Sequence, residues 1–235
     1  MKTIFLLISL SWSLFLRNTT DPVTLKAEGK SLDDLIPKGW VLLDSAYGDL
    51  NKDGIKDLAF VIQDTNPSNL EFNDNTFGND TINLNPRILG IYFGNSTGAF
   101  KKQLQSNDFI ILRDSPTMDE PFDGLTISDK GILQINFHFW YSAGSWYASD
   151  HSYKFRFQNS KFALIGYDSH SAHRATGETT DYSINFLTRK MSITKGNFSE
   201  DKPESVEWKS FNLTNLKTLD SYGKPFEWEF EGIVL

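Results

Sequence analysis

The chain has no cysteine among its 235 residues. That excludes a disulfide framework, a thiol nucleophile and a lipidated N-terminal cysteine. Basic residues are in the minority, 23 Lys and Arg against 30 Asp and Glu, for a net charge of −7. No Lys/Arg cluster is present to neutralise phosphates, which argues against nucleic acid and against an anionic membrane surface as partners. No apolar run approaches the ~20 residues that a transmembrane helix needs. The signature H-E-x-x-H is also missing, so no zinc-protease helix is encoded.

The longest apolar run, Ile4 to Leu16, follows Met1-Lys2-Thr3. One positive charge before a short apolar stretch predicts a secretory signal over residues 1–20, cleaved between residues 13 and 22, and hence a secreted or periplasmic protein with no transmembrane span in the mature chain. The whole sequence is 39% hydrophobic and 14% aromatic, enough for one sizeable core or two small ones without a staple.

The most informative stretch is Asp49-Leu50-Asn51-Lys52-Asp53-Gly54-Ile55-Lys56-Asp57-Leu58. Oxygen-bearing side chains recur at alternate positions around one glycine, the pattern by which a tight loop surrounds a hard cation with oxygens. Asp49, Asn51, Asp53 and Asp57 would supply side chains and Ile55 its carbonyl. The twelfth position is Phe60 rather than a bidentate glutamate, so the loop is not an EF-hand. The competing reading is an Asx-rich hairpin turn without metal. Three carboxylates crowded together would repel one another without a cation, and Ca²⁺ is therefore the expected cofactor.

The pattern D-x-N-x-D-G-x-x-D-L running into the strand-like Leu58-Ala59-Phe60-Val61-Ile62 resembles the calcium loops of FG-GAP and VCBS-type repeats. Downstream, Ile88 to Gly94, the turn Asn95-Ser96-Thr97-Gly98 and Phe100 resemble the closing part of such a unit. The resemblance covers roughly residues 44 to 104 and implies one propeller-blade-like unit with a calcium site. No second D-x-[DN]-x-D-G occurs, so a complete propeller is not expected. Residues 64 to 86, rich in Asn, Asp and Thr, read as an inserted surface loop.

The rest of the chain patterns as strands. Ser31 to Ile36 reads as a capped turn stopped by Pro37, Gly39 to Leu43 as a first strand, and Phe109 to Leu112 as a short buried strand. The acidic, proline-containing stretch Asp114 to Asp123 reads as a surface loop dividing an N-terminal half, 21–113, from a C-terminal half, 114–235.

In that second half Leu133, Ile135, Phe137, Phe139 and Tyr141 alternate with polar residues, and Tyr153, Phe155 and Phe157 do the same on a returning strand. Keeping apolar residues on one face sets Ile135 opposite Tyr153, Leu133 opposite Phe155 and Tyr141 opposite Tyr147. The turn Asn159-Ser160 then sets Phe157 against Phe162 and Phe155 against Leu164. A further hairpin, Tyr182 to Phe186 and Met191 to Thr194, and a strand at Val206 and Trp208 extend the meander. The fold class is all-β, antiparallel meander sheets with one blade-like unit.

The same register puts His138 across from Asp150 and His151 near Asp168, with His170 and His173 close by. Carboxylate-oriented imidazoles suit general-base catalysis or a transition metal, and equally suit structural hydrogen bonding. Trp140, Tyr141, Trp146 and Tyr147 surround a small-residue hairpin tip and could form a ligand platform or simply pack at the sheet edge. Two functions follow from these features. One is a non-catalytic calcium-binding module for a protein or glycan partner; the other is a hydrolase acting on a polysaccharide or cell-wall substrate through the rim His and Asp residues.

Overall fold

The computed structural model describes residues 23–74 and 77–235, so the expected signal segment lies outside the described residues. The first sheet begins with a two-residue strand β1 (Glu28–Gly29), followed by a helical turn α1 (Leu32–Leu35). As its sequence requires, α1 is capped by the Ser31 hydroxyl, which accepts from Asp34 N at 3.3 Å. Next come β2 (Trp40–Gly48) and β3 (Asp57–Asp64), joined by the Asp49–Lys56 loop. An insertion follows, carrying a small hairpin of β4 (Leu70–Phe72) and β5 (Thr81–Asn83). β6 (Arg87–Gly94) and β7 (Phe100–Ser106) complete the order β1-β7-β6-β3-β2. The run β2-β3-β6-β7 is an antiparallel four-strand meander.

β3 is apolar on both faces because both are covered. Leu58, Phe60 and Ile62 join Leu25, Leu35, Ile88 and Tyr92 in one cluster beneath α1. Ala59 and Val61, with Leu89 and Ile91, point the other way into the main core.

The second sheet is a seven-stranded meander in chain order: β8 (Phe122–Ile127), β9 (Ile132–Phe139), β10 (Tyr147–Gln158), β11 (Lys161–His173), β12 (Glu178–Asn185), β13 (Lys190–Asn197) and β14 (Ser205–Ser210). Ile135 pairs with Tyr153, Leu133 with Phe155, Phe157 with Phe162 and Phe155 with Leu164, as the alternation demands. The Asn159-Ser160 turn has φ of 50° and 61°, the doubly left-handed geometry that suits a two-residue hairpin. Ile184 against Met191 closes the next hairpin.

Three expectations about strands and their pairing need correction. Tyr141 does not lie opposite Tyr147: β9 ends at Phe139, and the chain turns to pair with the preceding loop, Tyr141 bridging Met118 and Trp140 O accepting from Asp119 N at 3.0 Å. Phe109 to Leu112 is not a strand. Phe109 and Ile110 are buried without ladder partners, Phe109 because four rings close around it. His151 is not beside Asp168, because a bulge intervenes in β11: Phe155 pairs with Leu164 but Lys154 with Gly166, leaving Ile165 as the extra residue. A bulge exchanges the faces of everything beyond it, so His151 is paired with Ser169 and Asp168 with Ser152.

Beyond β14 the chain folds back as α2 (Leu219–Tyr222) and a small hairpin of β15 (Glu229–Phe230) and β16 (Ile233–Val234). Leu219, Tyr222, Phe230 and Leu235 enter the main core. That core is continuous from Leu50, Ala59 and Leu89 of the N-terminal half to Leu133, Phe155 and Ile184 of the C-terminal half. The acidic stretch is therefore only partly a surface loop, since Met118, Pro121 and Phe122 are buried. Among the described residues no helix is long and apolar enough to cross a membrane.

Candidate functional site

The Asp49–Asp57 loop is organised by side-chain oxygens that accept from its own backbone. Asp49 Oδ1 accepts from Lys52 N at 2.7 Å and Asp53 N at 3.2 Å, and its Oδ2 from Gly54 N at 3.0 Å. Asn51 Oδ1 accepts from the same Asp53 N at 2.9 Å, and Asp53 Oδ1 from Ile55 N at 2.8 Å. Sharing one N–H donor brings the Asp49 and Asn51 oxygens together, and Asn51 Nδ2 donates to Asp53 Oδ2 at 2.9 Å. Lys52 and Gly54 take left-handed φ of 69° and 84° to make the reversal.

Asp57 behaves differently from the other three. It is fully buried at the start of β3, accepting from Leu50 N at 2.7 Å, Asn51 N at 3.2 Å and, across the sheet, Gly94 N at 2.9 Å. Burial raises its pKa against the lowering effect of those N–H groups, and the nearby Asp53 charge adds to the rise. The exit of the loop lies so close to β6 that a Cβ on Gly94 would fall 2.3 Å from Lys56 O. On its other side the loop rests on the turn between β8 and β9, where Lys52 Nζ donates to Asp129 O at 3.1 Å and a Cβ on Gly131 would fall 2.5 Å from Asp49 O.

The donor set is wholly oxygen and the convergent Asp49, Asn51 and Asp53 side chains fit a hard divalent cation, with Ile55 at the loop exit and Asp57 as a buried brace. Among the described residues no three His, Cys, Asp or Glu side chains form a ready-made metal cluster.

The histidines fall on two faces of the second sheet. On the outer face His138 pairs through Nδ1 with Asp150 Oδ1 at 2.6 Å, in the expected register, and His170 Nδ1 with Asp181 Oδ1 at 2.5 Å. Asp168 is engaged instead by Lys154 and by the Ser183 hydroxyl at 2.6 Å. On the core-facing side His151 bonds through Nδ1 to Tyr167 Oη at 2.6 Å and through Nε2 to Ser149 Oγ at 3.0 Å. Burial lowers its pKa to about 4, against the opposing pull of Asp150. His173 packs edge-on to Tyr147, with ring centroids 4.9 Å apart.

At the hairpin tip Trp146 and Tyr147 are exposed, whereas Trp140 and Tyr141 are half-buried. Arg174 clamps the tip: its guanidinium donates to Tyr141 O and Ser145 O and lies 4.9 Å from the Trp140 ring centre. The four aromatics therefore do not form one continuous face, since Trp140 already carries a cation.

Tyr141 instead helps to line a cleft of about 640 Å³ between the two halves, together with Phe139, Phe226, Ile110 and Met118. Arg87 lies at its base, nearly fully buried, held bidentately by Glu120 at 2.6 and 2.7 Å and donating to Ile111 O at 2.7 Å. Sequence reasoning passed over Arg87 and Phe226. A lone arginine opening the apolar run Ile88 to Tyr92 was a signal for the first; nothing local marks the second, whose position depends on tertiary packing. No histidine lines this cleft. Comparison of the chain with protein-family models, curated proteins and solved structures gives no match.

Proposed function

We propose that this protein is a calcium-stabilised β module of the secretory or periplasmic compartment that binds a glycan or protein partner and performs no chemistry on it. The observation that carries the reading is the buried Asp57 carboxylate under a loop of three convergent oxygen side chains. A buried carboxylate with a raised pKa, next to a like charge, is an electrostatic cost at neutral pH that a divalent cation in the loop would offset. The loop's resemblance to FG-GAP/VCBS repeats and the four-strand meander that carries it support the same cation. Export rests on the apolar N-terminal segment, Ile4 to Leu16.

Binding is favoured over hydrolysis by the disposition of the imidazoles. His138 and His170 sit in separate aspartate pairs on an open sheet face, while His151 is held on the opposite face by a tyrosine and a serine. Three imidazoles so placed do not address one bond. Equilibrium dialysis of the mature chain should show one Ca²⁺ bound per molecule in the wild type and none in Asp53→Ala. Absence of bound calcium in a folded wild-type sample would refute the reading.

A further inference from the structure

Three segments that neither sheet needs for its own pairing meet at the cleft between the halves. They are the end of the insertion at Leu84 to Pro86, the connection at residues 107–118 and the turn at residues 224–227. Loops that converge on a concavity are the usual place for a binding site, and the volume is in the range of small-ligand pockets.

One wall is aromatic. Phe139, Tyr141 and Phe226 line it, and Phe226 is held at φ of 65°, a left-handed conformation unusual for a bulky residue. Its ring packs edge-on to Phe137, Phe139, His151 and Tyr153, and this contact set keeps the strained backbone in place. Backbone strain retained at a cleft wall is characteristic of ligand sites.

The rim is polar and unengaged. Asp108, Asp114, Lys224 and Glu227 line the cleft, are exposed, and make no ion pair or side-chain hydrogen bond among the described residues. By contrast Arg87 is neutralised by Glu120. Three free carboxylates against one free ammonium leave the rim negative. Burial, reinforced by the Asp114 charge, raises the Tyr141 pKa, so its phenol stays protonated and able to donate.

We propose that this cleft binds the pyranose end of a neutral or amino glycan, one sugar face stacking on Tyr141 and Phe226 while Asp108, Asp114 and Glu227 accept from its hydroxyl or ammonium groups. Aromatic rings suit the apolar C–H face of a sugar and carboxylates suit its donors. The negative rim disfavours uronic and sialic acids. The inference rests on the reading of the chain as a binding module and names the partner class and the place where it sits, the cleft rather than the exposed Trp146 and Tyr147.

The test is calorimetric titration of the calcium-loaded chain with glucosamine tetrasaccharide, cellotetraose and tetragalacturonate. The first two should bind and the third should not. Tyr141→Ala should weaken binding about tenfold, as loss of a stacking contact does. Asp114→Asn, an exposed change that leaves the fold alone, should weaken the glucosamine oligomer more than cellotetraose, and Trp146→Ala should change neither.

Failure of both neutral and amino oligosaccharides to bind, stronger binding of tetragalacturonate, or loss of binding in Trp146→Ala with retention in Tyr141→Ala would each overturn the proposal. Calcium dialysis on the same sample separates the two readings: calcium bound without sugar bound overturns the cleft alone. Release of new reducing ends that Tyr141→Ala abolishes would keep the cleft and overturn the non-catalytic reading.

Discussion

Burial shifts the protonation of Asp57 and of His151 in opposite senses, raising the pKa of the first and lowering that of the second. Asp57 accepts three backbone N–H groups while buried. Replacing it by alanine leaves those donors unsatisfied, a loss of about 3 kcal/mol, and urea denaturation should show a stability decrease of that order with the loop disordered first. His151 has a folded pKa lowered to about 4 from an ordinary value of 6.5. Between those values the unfolded chain binds more protons than the folded one, so stability rises with pH across that window. It is full above pH 6.5 and falls as pH drops toward 4, by at most about 3 kcal/mol. Denaturation midpoints measured from pH 7.5 to 4 should show this slope in the wild type and a flatter one in His151→Leu.

At the scale of elements, much was legible and the misreadings have specific causes. Period-two alternation placed β9 and β10 in their observed register, because a one-residue slip would have exposed Phe137, which is 1% exposed. The same reasoning gave the His138–Asp150 pair. It failed for His151 and Asp168 because a bulge at Ile165 is invisible to alternation: the apolar run Phe162 to Ile165 accommodates either phase.

The candidate ligands of the Asp49–Asp57 loop could be named from spacing alone, yet the withdrawal of Asp57 into the core, bonded to Gly94 37 positions away, is a tertiary fact with no local signature. The cleft was illegible for the same reason, since its walls come from irregular segments far apart in the chain. Because the His138–Asp150 pair is exposed on both sides, His138→Gln should cost no more than about 1 kcal/mol in denaturant melts. A larger loss would mean the pair supports the sheet rather than decorating it.

At the scale of the whole molecule, Phe109 sits in a segment without secondary structure between the halves, fully buried among Phe137, Tyr153, Phe155 and Tyr222. Phe109→Ala should cost about 3–5 kcal/mol, the usual range for removing a buried aromatic ring. Since the core runs unbroken through both halves, that loss should appear as a lower midpoint of one transition, not as the separation of two.

The loop lies where such coupling reaches it, braced on β6 through Gly94 and on the β8–β9 turn through Lys52 and Gly131. A cation held there by the folded state alone raises the stability of the whole chain by mass action, about 2.7 kcal/mol at a hundredfold excess over Kd. Thermal unfolding of the protein in millimolar Ca²⁺ and in chelator tests this most directly. The account predicts a higher midpoint with calcium in the wild type and coincident curves in Asp53→Ala; coincident curves in the wild type, or an undiminished shift in Asp53→Ala, would contradict it.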